Sequence, residues 1–343
     1  MEDLTQHFYD LPILLRLHDL VAAADPDGPP SVQLVYWNDG PRPPARLGFL
    51  AGSFNPLHAA HEALARAALA AAHLDQVVLV LSKRTVDKEQ VSGLCLEDRL
   101  LLLQLFASTH PRHAVALVNR GLYYEQAAIL RSAWPDVEEL WVLVGFDKMV
   151  QIFDPRYYVE RDAALEQLFT LAGALVAPRA AGGPADLARL LDRPENRRFR
   201  DRVRPLLIDR ELEGVASSQL RSEAAKGHIV DANLPRLVSA FLSETRAYAP
   251  PTRLADGEIV EAYGLRVALL SALSRARPWS QSQADFRALL NLALGHTRES
   301  HRFRTWLQRV PSDPSSAAAT LRSFQHQARR DASPARQGRQ HST

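Results

Sequence analysis

Between Arg46 and about Ala249, short apolar runs alternate with longer stretches in which apolar residues recur every three or four positions. The runs at 47–51, 77–81, 114–118, 140–145, 174–177 and 206–208 are apolar at consecutive positions. That pattern predicts strands buried on both faces, as in a parallel sheet covered by helices. Helical periodicity begins near His58, Leu96, Tyr124, Tyr158 and Pro184. Strand and helix in alternation, joined by right-handed crossovers, make an α/β domain with a Rossmann-like, doubly wound parallel sheet. Ligands of such sheets gather at the carboxyl ends of the strands.

The flanks read differently. Residues 1–45 form an N-terminal extension: an amphipathic stretch at 11–24, a Pro/Gly/Asp turn and a β-like run at 32–37. After Pro250-Pro251 the period is helical only, at 259–274, 283–295 and 300–310, which predicts an α-helical appendage over 251–311. Residues 312–343 are rich in Ser, Ala, Gln, Arg and Pro. They read as a basic, largely disordered tail, with 317–330 compatible with one more helix. The α/β domain is expected at 46–250, and no internal repeat is visible.

Charge sharpens this division. The net charge of +2 hides 14 Arg, no Lys and 7 Asp/Glu after residue 250, a basic end of +7 on a body of −5. Arginines without interleaved aromatics are a weak signal for nucleic acid, which is not an expected partner. One cysteine, Cys95, excludes an internal disulfide. No apolar run approaches the roughly 20 residues of a membrane span, and the acidic start MEDLTQHFYD lacks a signal peptide's basic region. A cytoplasmic protein without membrane contact is expected.

Candidate chemistry concentrates at three strand ends. Residues 47–61, LGFLAGSFNPLHAAH, read as strand, tight turn and helix start. His58 and His61, three apart, fall on one helical face where free N–H groups and the dipole attract anions. Gly52 would let a phosphate approach the backbone. The null alternative is a plain turn followed by two surface histidines. Residues 140–158 end a strand in Gly145-Phe146-Asp147, where a carboxylate could accept both hydroxyls of a ribose or cap a helix. Phe153, Tyr157 and Tyr158 follow, as an aromatic plate or as core. Residues 215–221, VASSQLR, put Ser217 and Ser218 before a helix and Arg221 one turn in, a capping signal and a phosphate site in one. Lys83, Arg84 and Lys88 add positive charge after the second strand.

At these residues the sequence resembles the H-x-G-H nucleotidyltransferases, and more closely the nicotinamide/nicotinate mononucleotide adenylyltransferase family. Residues 52–61 follow G-[ST]-F-[DN]-P-x-[HT]-x-x-H, with Ala60 where most of the superfamily has glycine. Gly145–Asp147 is similar to the family's G-x-D, 215–221 to I-S-S-T-x-[IL]-R, and 234–248 to its closing segment, with Phe241 for tyrosine. The resemblance covers about 200 residues.

It implies transfer of the adenylyl group of ATP to nicotinamide or nicotinate mononucleotide, releasing pyrophosphate, with Mg2+ carried on the ATP phosphates. It implies His58, His61 and Arg221 as catalytic groups, with Gly52, Ser53, Phe54, Gly145, Asp147, Ser217 and Ser218 completing the ATP site. Ser53, Lys88, Phe153 and Tyr158 would hold the acceptor, Tyr158 standing where many members stack a tryptophan. Arg99 is similar to a helix-borne arginine of the family. No all-protein metal site is expected, and a homo-oligomer is compatible with the sequence. The rivals are adenylyl or cytidylyl transfer to another phosphorylated acceptor, and a non-catalytic nucleotide sensor.

Overall fold

The computed structural model describes residues 4–38, 44–84, 93–179, 182–229, 231–254, 257–276, 283–310 and 313–331. After a 3-10 turn at Leu4–Tyr9, the elements run α1 (Leu11–Ala23), β1 (Val32–Tyr36), β2 (Arg46–Gly52), α2 (Ala59–Ala71), β3 (Gln76–Ser82) and α3 (Leu96–Ser108). Next come β4 (His113–Val118), α4 (Tyr123–Ala133), β5 (Glu139–Gly145), α5 (Phe146–Phe153), α6 (Arg161–Leu171), β6 (Gly173–Ala177) and α7 (Pro184–Asp192). The chain closes with β7 (Val203–Pro205), α8 (Ser217–Ala225), α9 (Arg236–Thr245), β8 (Thr252–Arg253) and β9 (Ile259–Val260). Four helices complete it: α10 (Ala262–Arg275), α11 (Gln283–Leu294), α12 (Arg298–Leu307) and α13 (Pro314–Asp331). They fall into two compact units, one of Leu20–Ser222 with Val230–Ser239, the other of Met1–Asp19, Glu223–Ile229 and Ala240–Thr343.

The first unit is built on a seven-stranded sheet ordered β1-β4-β3-β2-β5-β6-β7. β4, β3, β2, β5, β6 and β7 run parallel. Every residue of β4 and β6 is buried, as strands covered on both faces must be. The strand order reverses between β2 and β5, the switch point where doubly wound sheets bind ligands. Gly52 and Gly145 end those two strands, so the first two sequence motifs meet there.

Three expectations change. The run at 32–37 is not a detached decoration, because β1 pairs antiparallel with β4 and becomes the edge of the sheet. The last strand lies at Val203–Pro205 rather than 206–208. Proline lacks the donor that an interior strand needs and is tolerated on this edge, while Leu207 beyond it is exposed. The short α5 directly after β5 had no separate periodic signal.

In the second unit, Phe8, Phe241, Phe286, Leu269 and Phe303 are buried. Arg266, only 1 % exposed, places its guanidinium 5.3–5.5 Å from the rings of Tyr9, Phe241 and Phe286 and donates to the Phe8 carbonyl at 2.7 Å. Cation–π attraction and that hydrogen bond replace its lost hydration. The expectation of a largely disordered tail from 312 fails over α13. Ala317, Leu321, Phe324 and Ala328 form a buried helical stripe, and Phe324 lies 4.5 Å from Phe303 between ring centroids.

Candidate active site

The β2–α2 turn is held by its own buried side chains. Phe54 adopts a left-handed backbone, φ 45°, which is strained for a bulky residue and persists here because its ring is packed away, 1 % exposed. A Cβ on Gly52 would stand 3.3 Å from that ring, a tight approach that the Phe54 ring could relieve only by shifting. Buried Asn55 accepts from the Leu94 N–H through Oδ1 at 3.0 Å. His58 is the N-cap of α2 and His61 its third residue. Their rings stack at 3.7 Å, and Phe54 backs His61 at 5.0 Å.

The His58 N–H donates to Nδ1 of His61 at 3.2 Å. A neutral His61 with Nδ1 accepting carries its proton on Nε2, which is then the donor available to a ligand. Burial, and secondarily the Arg179 guanidinium, lowers His58 to about 3. The same burial, its neighbour His58 and Arg179 push His61 well below its ordinary value. Both rings are therefore neutral at physiological pH.

Arg179 had no separate signal beyond its position at the end of β6. It donates to the Val215 carbonyl at 2.6 Å, and a Cβ on Gly145 would meet its Nε at 2.9 Å. It thus ties the Gly145 strand end to the segment leading into α8. Gly145, not Asp147, caps α5, and Asp147 stands exposed in the first turn. Ser217 and Ser218 are the first residues of α8. The Ser217 hydroxyl donates to the Pro56 carbonyl at 3.1 Å, and Arg221 donates to the Asn55 carbonyl at 2.8 Å.

A cleft of ≈ 270 Å³ opens beside this cluster. Gly52, Ser53 and Arg221 line it together with Ser82, Arg84, Arg99, Tyr123, Gln126, Lys148, Gln151, Tyr157 and Tyr158. Arg99, held to the Leu94 carbonyl at 2.7 Å, stands next to the Ser53 backbone. Tyr158, which lines the cleft, donates its hydroxyl to the Ile152 carbonyl at 2.9 Å. The histidine pair lies next to this lining rather than in it.

Phe153 does not reach the cleft. It is 4 % exposed and packs against Phe169 and Phe199, because it shares the core face of α5 with Met149, while Lys148, Gln151 and Ile152 line the cleft. The Phe54 ring likewise supports His61 instead of meeting a ligand. Lys83 gives its ammonium to the Val21 carbonyl at 2.6 Å. Lys88 lies outside the described residues. Tyr123, Gln126, Lys148 and Gln151 are additions that only the folding of α4 and α5 onto one cleft reveals.

A parallel sheet with a histidine-bearing helix start at its switch point, a serine-rich helix start and an arginine beside it, defines a nucleotidyltransferase. Comparison with known proteins agrees. Residues 49–179 match the cytidylyltransferase-like family model. The chain is 28 % identical over 211 residues to a probable nicotinate-nucleotide adenylyltransferase of Synechococcus sp. (strain JA-3-3Ab), spanning 60 % of this chain and 96 % of that one. It is 29 % identical over 206 residues to the protein of the same description from Bordetella pertussis, covering 59 % and 98 %. Among solved structures it is similar to Plasmodium falciparum nicotinic acid mononucleotide adenylyltransferase complexed with NaAD, at 13 % identity and a TM-score of 0.44, over 59 % of this chain and 96 % of that one. Residues 49–179 thus match the cytidylyltransferase-like model, and about 60 % of the chain is similar to proteins described as probable nicotinate-nucleotide adenylyltransferases.

Proposed function

We propose that the enzyme transfers the adenylyl group of ATP to nicotinate mononucleotide in preference to the nicotinamide form. An oxygen of the acceptor's phosphate attacks the α-phosphorus of ATP, the bond from that phosphorus to the β-bridging oxygen breaks, and pyrophosphate leaves. The acceptor phosphate is already a nucleophile at neutral pH, so positioning and charge stabilisation carry the catalysis. His61 Nε2–H, the neighbouring His58 and Arg221 donate to the ATP phosphates, helped by the first amides of α8. Asp147 is the acceptor for the ATP ribose, Ser53 stands between the two substrates, and Tyr158 with Tyr123 flanks the pyridine ring. Mg2+ would be held by the ATP phosphates and would supply neutralisation of their negative charge. It fits as an ion brought by ATP, since no group of three or more His, Cys, Asp or Glu that could hold one occurs among the described residues.

The observation that carries the choice of acceptor is the cleft's charge. Arg84, Arg99, Lys148 and Arg221 line it, and no carboxylate does among the described residues. Such a wall favours the acceptor with one more negative charge, and the two curated relatives described above bear nicotinate in their names. Pyrophosphate release should be measured with ATP and each mononucleotide in turn. The kcat/KM is expected to be at least about tenfold higher for the acid, the scale of one added charge-assisted hydrogen bond. A preference for the amide would overturn the choice of acceptor, and release with neither would overturn the activity.

A further inference from the structure

Asn119 and Arg120 follow β4 directly, and neither lines the cleft. Asn119, almost fully buried, donates through Nδ2 to the carbonyls of Asp25 at 2.6 Å and Pro29 at 2.7 Å, and its Oδ1 accepts from the Ser31 N–H at 2.8 Å. Arg120 donates from Nη1 to the Pro26 carbonyl at 2.8 Å and from Nη2 to the Gly28 carbonyl. Their side chains therefore grip residues 25–31 by five hydrogen bonds. The backbone faces the other way. The Arg120 carbonyl accepts from Ser82 Oγ at 2.8 Å and from Gln126 Nε2 at 3.0 Å, both cleft residues, and Gly121, Leu122 and Tyr123 come next in the lining.

We infer that Asn119 and Arg120 are positioning residues for the acceptor. The N-terminal segment 21–31, which lies outside the family-matched residues, is the brace that holds the β4–α4 connection in place. This rests on the acceptor assignment above. A loop carrying three lining residues on a single strand end has several conformations of similar energy, and a gripped one presents Tyr123 and Gln126 in one arrangement. Pre-organisation of this kind shows as acceptor affinity. The ATP side, built on β2, β5 and α8, is independent of it.

The test uses the full-length chain with Asn119→Ala, Arg120→Ala and Arg120→Lys, and measures KM for ATP and for the mononucleotide alongside Tm. Lysine offers one nitrogen in place of the two that the guanidinium fork aims separately at the Pro26 and Gly28 carbonyls, so it should rescue little. The expected result is an acceptor KM raised about tenfold with ATP KM changed less than about twofold. Equal rises in both KM values, or no rise in either, would overturn the inference. If Asn119→Ala does not fold, the more peripheral Arg120 pair decides by the same KM comparison. Failure of the acceptor assignment shows separately, in the wild-type enzyme, and the comparison is then read on whichever acceptor the wild type uses.

Discussion

Arg221 donates from Nη1 to the carbonyl oxygen of Asn55, 2.8 Å away, although 166 positions separate them in the chain. One nitrogen of the guanidinium is thereby tied to the β2–α2 turn, and the rest of the planar fork remains for phosphate. A lysine has a single nitrogen and cannot hold the turn and span two phosphate oxygens together. Arg221→Lys is therefore expected to keep most of the kcat/KM defect of Arg221→Ala. Recovery of more than about half of the wild-type value would refute the fork.

His61 is the second case. Its Nδ1 is occupied by the His58 N–H, which leaves the proton on Nε2. A donor that acts on charge developing in the transition state should affect kcat more than ground-state binding. His61→Ala is expected to lower kcat by about 10²–10³ with little change in ATP KM, the scale for one oxyanion donor. A variant turning over near the wild-type rate would exclude the role.

How much of this could be read from the sequence depended on what kind of information each feature needs. β3 and β4 were legible because both their faces are buried, which leaves uninterrupted apolar runs. The His58–His61 pair was legible because a strand, a Gly-containing turn and a helix start occur within fifteen residues. Arg179 was not, since its meaning lies in its closeness to Gly145 and Val215, which only the parallel pairing of β5 and β6 creates. Phe153 misled for a related reason: nearness in sequence to Tyr157 and Tyr158 does not say which face of a short helix a ring occupies. The N-terminal run at 32–37 looked optional because edge pairing to β4 joins residues 79 to 86 positions apart.

Buried neutral histidines also make stability depend on pH in a definite direction. His113 is 6 % exposed with neither ring nitrogen partnered, and burial lowers it to about 4, with His110 adding to the effect. The unfolded chain takes up a proton near pH 6.5 that the folded chain refuses, so stability falls as pH drops from about 6.5 to about 4 and this contribution is constant below that. His113→Phe removes the site while filling the same apolar position. Its unfolding free energy should fall less steeply over that window, by about 1.4 kcal/mol per pH unit at most. Urea titrations at pH 7, 5.5 and 4.5 measure it, and parallel slopes for both proteins would rule the site out.

The last prediction concerns α13, which lies in the stretch whose composition reads as a largely disordered tail. The helix hides its packing because half of its buried described positions are alanine: Ala317, Ala318 and Ala328 accompany only two large apolar residues, Leu321 and Phe324, and the polar Gln325. Leu321 is fully buried, and Phe324 sits against Phe303 and Trp306. Arg329 pairs at 2.7 Å with Asp285, a carboxylate only 2 % exposed on α11. Deleting the helix would bare the Phe303 ring and leave that carboxylate without its guanidinium, each a recognised source of large destabilisation. Leu321→Ala should destabilise the helical unit by about 2–5 kcal/mol, the range for truncating a buried leucine, with the smaller values if the neighbouring alanines let the site collapse. Truncation after Val310 should lower Tm further and increase aggregation, because it uncovers an apolar face on α10 and α11 and removes the Arg329 partner of Asp285. Calorimetry on the three proteins decides the matter. A truncated chain that melts with the full-length one would mean that α13 contributes nothing to the core of its unit.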